Sequence, residues 1–114
     1  MADCVFCRIA SGEIPAQVVA QDERVVAFRD LNPQAPLHVL IIPRQHLVSV
    51  AEAGEEHEGL LGHLMVVAAG IARQEGIEAG GYRLVLNHGP NAGQSVFHVH
   101  LHLLGGRRFG WPPG

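Results

Sequence analysis

The segment that decides the fold of this chain is Phe97-His98-Val99-His100-Leu101-His102-Leu103-Leu104. Histidines alternate with apolar residues through it, and side chains alternate between the two faces of a β-strand. A strand here would line one face with imidazoles and the other with apolar groups, whereas a helix would scatter them. Imidazoles on one strand face stand about 6.5 to 7 Å apart, close enough to converge on one phosphate-sized group. We therefore expect a final strand over residues 95–104 with a histidine-lined site on one face.

The remaining sequence predicts an α+β fold with a five-stranded, mainly antiparallel sheet. Apolar residues recur at three- and four-residue spacing over residues 55–74, which predicts one long helix closed by Gly76. A short helix is expected near residues 5–10. β-branched or alternating runs predict the five strands, over residues 17–20, 24–29, 38–43, 82–87 and 95–104. Residues 1–114 are expected to form a single domain.

The composition excludes several classes of protein. The 114 residues include 8 arginines and no lysine, which rules out Schiff-base chemistry and a P-loop. A net charge of −3 argues against nucleic acid or an anionic membrane as partner. Charged residues make up only 17% of the chain, so we expect too little polar surface for a monomer. No signal peptide or membrane span is recognised, and a cytoplasmic location is expected.

Two short patterns accompany the histidine row. Glycines in residues 87–95 let backbone N–H groups approach an oxyanion, and Ser95 and Asn87 add donors, so this loop is a candidate phosphate cradle. Turn geometry alone is the alternative explanation. The only cysteines, Cys4 and Cys7, have the spacing of a zinc or redox site, or are two inert thiols. Imidazoles on a strand serve as metal ligands, acids and bases, or nucleophiles, and a half-solvated face also tolerates them.

These residues resemble the histidine triad nucleotide hydrolases and transferases, whose motif is His-φ-His-φ-His-φ-φ with φ apolar. The resemblance covers nearly the whole chain and is closest to the Hint branch. It rests on residues 98–104 and on further matches at residues 7–9, 13–15, 27–30, 33–38, 42–46, 60–64, 93–95 and 111–114.

The resemblance implies a homodimer in which two sheets join into one of ten strands, with a purine nucleotide bound in each protomer. The implied activity is hydrolysis of nucleoside 5′-phosphoramidates. His100 matches the nucleophile, and His38, His98 and His102 complete the histidine cluster. The remaining nucleotide-site matches are Phe6, Ile9, Phe28 and Leu31 around the base, Asp30 at the ribose, Asn87, Gly93, Gln94 and Ser95 at the phosphate, and Trp111 reaching the neighbouring protomer's site.

Some relatives of this kind carry a structural zinc, which implies Cys4, Cys7, His46 and His98 as its ligands. Three other functions remain open. One is a nucleotide-binding regulator with incidental hydrolysis, and another is a dinucleoside polyphosphate hydrolase or nucleotidyl transferase. The third is a zinc hydrolase that uses the three histidines at 98, 100 and 102 as ligands. His57 and His63 are expected at the surface or facing a dimer partner.

Overall fold

Five strands join into one antiparallel sheet in the computed structural model, which describes residues 3–114. The predicted fold class is confirmed. The strands are β1 (Val18–Gln21), β2 (Val25–Arg29), β3 (Leu37–Pro43), β4 (Tyr82–Leu86) and β5 (Leu101–Gly105). Their order across the sheet is β1-β2-β3-β5-β4, so β3 and β5 lie at its centre. Each neighbouring pair is antiparallel.

Two helices flank the sheet, α1 (Val5–Ala10) and α2 (Glu58–Gln74). The predicted start of α2 was three residues early, because residues 55–57 form a 3-10 turn. Gly76 follows the helix with a φ of +76°, which is the left-handed conformation that glycine supplies at a helix C-terminus. His57 ends the 3-10 turn, and its Nδ1 accepts the N–H of Gly54 at 2.9 Å. His57 is buried, so its expected surface position was wrong.

The two faces of the sheet bury different groups. On one face, β3 and β5 direct alternate apolar side chains toward α2, where they pack with Leu64, Ala68 and Ile71. On the other face, α1 covers a second cluster of Phe6, Val26, Phe28, Leu40 and Ile42. His102 on β5 pairs with Leu40 on β3, which places it on the α1 face. The candidate chemistry therefore lies on the opposite side of the sheet from α2.

The final strand begins at Leu101, six residues later than predicted. β4 ends at Leu86, which pairs with Leu101, and the pairing of β5 with β3 also ends at the Ile41–Leu101 pair, so residues upstream of Leu101 lie outside both ladders. The N–H of Val99 bonds instead to the Leu47 carbonyl at 2.8 Å. Side chains nevertheless keep alternating, since Val99 joins the core on the α2 face while His98 and His100 contact Phe6.

His63 ties α2 to the β1–β2 turn. Its Nε2 lies 2.6 Å from Oδ2 of Asp22, whose Oδ1 accepts the N–H groups of Arg24 and Val25. The bond to His63, followed by the Arg24 N–H, lowers the pKa of Asp22 to about 2. His63 is thus engaged within its own chain. None of the helices in residues 3–114 has the length and apolarity needed to cross a bilayer.

Candidate functional site

A cavity of about 340 Å³ lies on the α1 face of the sheet. Its apolar wall comes from α1, β2 and β3, and its polar groups come from the ends of β2 and β5. Eight residues predicted from sequence line it: Phe6, Ile9, Phe28, Asp30, Leu31, Ser95, His100 and His102. Leu31 is 99% exposed and so stands at the mouth. The volume falls within the range of small-molecule sites, which are mostly apolar with a few convergent polar groups.

A wider concavity of about 590 Å³ lies where Gly76, Ile77, Gly80 and Gly81 face Gly106, Arg107 and Arg108. It contains neither histidine nor carboxylate, and it is more open to solvent. We therefore place the chemistry in the smaller cavity, where titratable groups converge.

His100 presents an unprotonated ring nitrogen to this cavity. Its Nδ1 lies 2.8 Å from the carbonyl oxygen of His98. A carbonyl can only accept, so Nδ1 carries the proton and the lone pair of the neutral ring lies on Nε2. Phe6 packs edge-on against the ring, with centroids 5.1 Å apart, and His100 is only 7% exposed. The ring is thus fixed in tautomer and orientation.

His38 and His102 form a hydrogen-bonded pair beside it. The Gln34 N–H donates to Nδ1 of His38 at 3.0 Å, so His38 carries its proton on Nε2. That Nε2 lies 2.8 Å from Nδ1 of His102 and 3.4 Å from Oδ2 of Asp30, and the shorter contact is the hydrogen bond. His102 therefore keeps its own proton on Nε2.

Burial keeps this pair neutral. It lowers the pKa of His38, with Asp30 opposing the shift. It also lowers the pKa of His102 to about 4, with the charges of His100 and His38 adding to the effect. Both rings are therefore uncharged near neutral pH, and an anion entering the cavity would favour protonation.

Gln94 braces the loop before the histidines. Its Oε1 accepts the Gly89 N–H at 3.0 Å, and its Nε2 donates to the carbonyl oxygens of Val48 and Val96 at 2.7 and 3.2 Å. Gly93 and Gly89 both have positive φ, at 77° and 82°. The side-chain amide of Gln94 is thus fully hydrogen-bonded to backbone groups. The loop conformation that it stabilises places Ser95 at the cavity wall.

The structure does not bring every predicted nucleotide residue into the cavity. Asn87, Gly93 and Gln94 are outside its lining, and Trp111 is 83% exposed near the C-terminus. Several lining residues were not predicted. Leu40 could have been found from strand alternation, since it shares a face with His102. The loop over residues 14–17 carries no comparable signal, because its place depends on how α1 docks.

A second cluster lies behind the first and joins Cys4, Cys7, His46 and His98. The Nδ1 of His98 is 3.3 Å from Sγ of Cys4, 3.5 Å from Sγ of Cys7 and 3.2 Å from Nδ1 of His46. The Nε2 of His98 lies 2.8 Å from the Pro43 carbonyl oxygen and must donate to it. The lone pair of the ring is therefore on Nδ1, which faces the cluster.

This donor set fits a tetrahedral zinc. Bonds of about 2.0–2.1 Å to nitrogen and about 2.3 Å to sulfur separate such ligands by about 3.3–3.8 Å. The contacts in the cluster measure 3.2–3.5 Å. Burial, followed by the hydrogen bond and charge of Cys4, raises the pKa of the Cys7 thiol. A bound cation would offset that effect, because it stabilises the thiolate.

The geometry contradicts a zinc hydrolase built on all three triad histidines. His98 directs its Nδ1 away from the cavity and into the cysteine cluster, while His100 and His102 line the cavity. Within residues 3–114, no group of potential metal ligands contains these three together.

Comparisons with known proteins agree with these features. The HIT domain family model matches residues 11–109. The chain is 54% identical over 112 residues to the 14 kDa zinc-binding protein of Zea mays, covering 96% of this chain and 87% of that protein. It is 49% identical over 112 residues to adenylylsulfatase HINT1 of Arabidopsis thaliana, covering 96% and 76% respectively.

Among solved structures, a HIT family hydrolase from Legionella pneumophila Philadelphia 1 superposes with a TM-score of 0.96 at 49% identity. The match covers 98% of this chain and 100% of that one. This chain therefore belongs to the histidine triad (HIT) family, in its Hint-like branch.

Proposed function

We propose that this protein is a purine nucleotide-binding hydrolase that cleaves nucleoside 5′-phosphoramidates through a nucleotidyl intermediate on His100. The observation that carries the proposal is the order of tautomers in His100 and His102, which line the cavity, and in His38 beside them. It leaves a lone pair on Nε2 of His100 and a proton on Nε2 of His102, side by side in one cavity. A nucleophile and a proton donor are the two groups that this cleavage needs.

The two ends of the cavity suit the two ends of a nucleotide. Phe6, Ile9 and Phe28 supply an apolar surface for the base, with Leu31 closing the mouth. Asp30 is the ribose partner, because its carboxylate can accept hydrogen bonds from the ribose hydroxyl groups, and the Asn32 N–H, which donates to its Oδ1 at 2.8 Å, holds it in place. Ser95 lies at the histidine end and donates to the phosphate. The N–H groups of Gly93 and Gln94, predicted as phosphate donors, instead donate to the carbonyls of Pro90 and Gly89 at 3.1 Å each, so this loop supports Ser95 and does not itself hold the phosphate.

In the first step, Nε2 of His100 attacks the phosphorus and an N–P bond forms. The P–N bond to the amine breaks, and the amine leaves with that electron pair and takes a proton delivered through His102. The anionic phosphate raises the pKa of the His38–His102 pair, so the pair takes up one proton from solvent when the nucleotide binds, and this added proton is the one that the amine receives. In the second step, water attacks the phosphorus, the His100–phosphorus bond breaks, and the proton of the water returns to the pair. His100 is then restored.

The same covalent step accommodates other leaving groups. The name of the Arabidopsis relative, adenylylsulfatase, indicates sulfate as the group that departs from an adenylyl substrate. A dinucleoside polyphosphate or a transfer to inorganic phosphate would pass through the same intermediate. Phosphoramidates remain the primary proposal, because the departing nitrogen needs a proton to leave as a neutral amine, and His102 is placed to deliver it, whereas sulfate needs none.

The experiment is AMP release from adenosine 5′-phosphoramidate, with adenylyl sulfate as a parallel substrate. Wild type should turn over and accumulate a species heavier by one adenylyl group (AMP less one water) in rapidly quenched mass spectra. His100→Asn should lose both the turnover and the adduct. His88→Asn is the matched control, since His88 is an exposed histidine outside the cavity. Undiminished turnover by His100→Asn would reject the nucleophile assignment, and binding of AMP without turnover by wild type would favour a regulatory role.

We also propose that the cysteine cluster holds a structural zinc. Two thiolates and two imidazoles are a common closed zinc set, and the Zea mays relative is named a zinc-binding protein. Elemental analysis should find one zinc per chain in wild type and far less in Cys7→Ser. A wild-type protein purified without chelators that contains no zinc would contradict this.

A homodimer is the proposed assembly. β4 pairs with β5 along one side only, which leaves an edge to extend the sheet across two copies. Met65 and Val66 on α2 are 52% and 66% exposed, which is unusual for large apolar side chains. In such a dimer Trp111 would reach the cavity of the partner. Light scattering should give twice the chain mass for wild type and a monomer for Val66→Glu, and a wild-type monomer would exclude this assembly.

A further inference from the structure

α1 lies between the nucleotide cavity and the cysteine cluster and contributes to both. Cys4 is its N-cap, where Sγ accepts the Cys7 N–H at 3.4 Å, and both residues belong to the cluster. Phe6 and Ile9, on the same helix, line the cavity. The two sites therefore share one short element.

α1 depends on its anchors for its conformation. It has only six residues, and an isolated helix of this length does not persist in water. At its C-terminal end, Arg44 donates to the Ala10 carbonyl at 2.7 Å. At its N-terminal end, the anchoring residues are Cys4 and Cys7, whose sulfurs lie among His46 and His98. A metal bound in that cluster would hold this end of α1 in addition to the packing of Phe6.

Phe6 transmits the position of α1 to the nucleophile. It lies between the two cysteines in sequence and is only 7% exposed. Its ring packs edge-on against His100 and His98, with centroids 5.1 and 6.0 Å away, and against Phe28 at 5.6 Å. A shift of the helix would therefore move a base-pocket wall and the packing of His100 together.

His98 makes a second, independent link. Its ring belongs to the cysteine cluster, while its backbone carbonyl accepts the proton of Nδ1 of His100 at 2.8 Å. The Pro43 carbonyl fixes the far side of the same ring. A residue held by a metal at its side chain would thereby orient the reacting imidazole through its main chain.

We propose that metal occupancy of the Cys4–Cys7–His46–His98 cluster controls nucleotide affinity in the neighbouring cavity, with Phe6 and the His98 carbonyl as the coupling elements. This inference rests on the proposed nucleotide site and assigns its regulation. Coupling of this kind is reciprocal, so a nucleotide must tighten metal binding by the same factor by which the metal tightens nucleotide binding. A purely structural metal that leaves the cavity unchanged gives a factor of one.

The test is a thermodynamic cycle with zinc and AMP as the two probes. Calorimetry measures the AMP Kd of the zinc-loaded and chelated proteins, and chelator competition measures the zinc Kd with and without saturating AMP. We expect both affinities to change by the same factor of about ten, within the usual range for coupled sites. Amide exchange of the central sheet is measured in parallel, and the sheet should stay protected after chelation.

Two variants separate coupling from general weakening of α1. Phe6→Leu should still bind zinc but should show a smaller coupling factor. Ser11→Ala is the matched control, because it removes the Ser11–Arg8 carbonyl bond at the helix C-cap without touching the cluster. The coupling factor of Ser11→Ala should equal that of wild type.

Equal AMP affinities with and without zinc would overturn the inference, as would an unchanged factor in Phe6→Leu or global loss of sheet protection on chelation. If zinc-loaded protein does not bind AMP, the proposed nucleotide-binding function is wrong, whether or not the two sites are coupled. In that case the ring ¹⁵N resonances of His100 and the α1 amide exchange decide the inference. A change in both on chelation supports it, and anything less overturns it.

Discussion

His102 should remain neutral far below the pH at which most histidines take up a proton. Burial, reinforced by His100 and His38, lowers its pKa from 6.5 to about 4. Since one pKa unit corresponds to about 1.36 kcal/mol, this shift is worth up to about 3 kcal/mol. Between these two values the unfolded chain binds the proton and the native chain does not. The free energy of unfolding therefore falls as the pH drops from about 6.5 to about 4. Above that range His102 is neutral in both states and causes no loss of stability.

Urea unfolding of wild type and His102→Gln between pH 7.5 and pH 4 measures this contribution. The glutamine can still accept the His38 Nε2–H but cannot titrate, so stability should fall less in the variant, by up to about 3 kcal/mol over the whole range. Both proteins contain the same cysteine cluster, whose own pH dependence cancels in the difference. Parallel stability profiles, or a His102 NMR titration midpoint near 6.5, would refute the reasoning.

Two further predictions concern carboxylates. Asp22→Asn keeps an oxygen for the turn N–H groups but loses the charged bond to His63. Because the pKa of Asp22 is lowered to about 2, its stabilisation exists above about pH 4 and disappears as the pH falls toward 2. The side chain is 33% exposed, so after screening we expect about 1 kcal/mol at pH 6, measured by urea unfolding, with equal stabilities near pH 2. Asp30→Asn should reduce the preference for AMP over 2′-deoxy-AMP about tenfold in calorimetry, and an undiminished preference would remove Asp30 from the ribose site.

For the histidine segment, the sequence predicted correctly which face each side chain occupies but predicted the start of the strand six residues too early. Alternation needs only an extended backbone, which residues 98–100 retain although β4 ends at Leu86, opposite Leu101, and the ladder with β3 stops at the same residue. The strand boundary depends on where the neighbouring strand stops, and no local pattern in residues 95–100 contains that information. The same limit explains His63, whose partner Asp22 is 41 residues away.

The cysteine cluster shows what resemblance adds to a local pattern. Spacing alone marked Cys4 and Cys7 as a candidate pair. His46 and His98 are 52 residues apart in sequence, and the Val99 N–H to Leu47 carbonyl bond joins their segments, while α1 places the cysteines beside them. For Gln94, by contrast, the resemblance did not predict what the side chain contacts. Gln94 was predicted to bind the nucleotide, but it lies outside the cavity lining and its amide bonds to the backbone of Gly89, Val48 and Val96.

The alternation in residues 97–104 has a consequence for how this chain can change over evolutionary time. Substitution at Val99, Leu101 or Leu103 alters the packing under α2, and substitution at a histidine alters the opposite side of the sheet. Insertion or deletion of one residue is different, because it exchanges the two sides for every position beyond it. Imidazoles would then enter the apolar core and leucines would line the cavity. The segment can therefore tolerate substitutions but not insertions or deletions of a single residue.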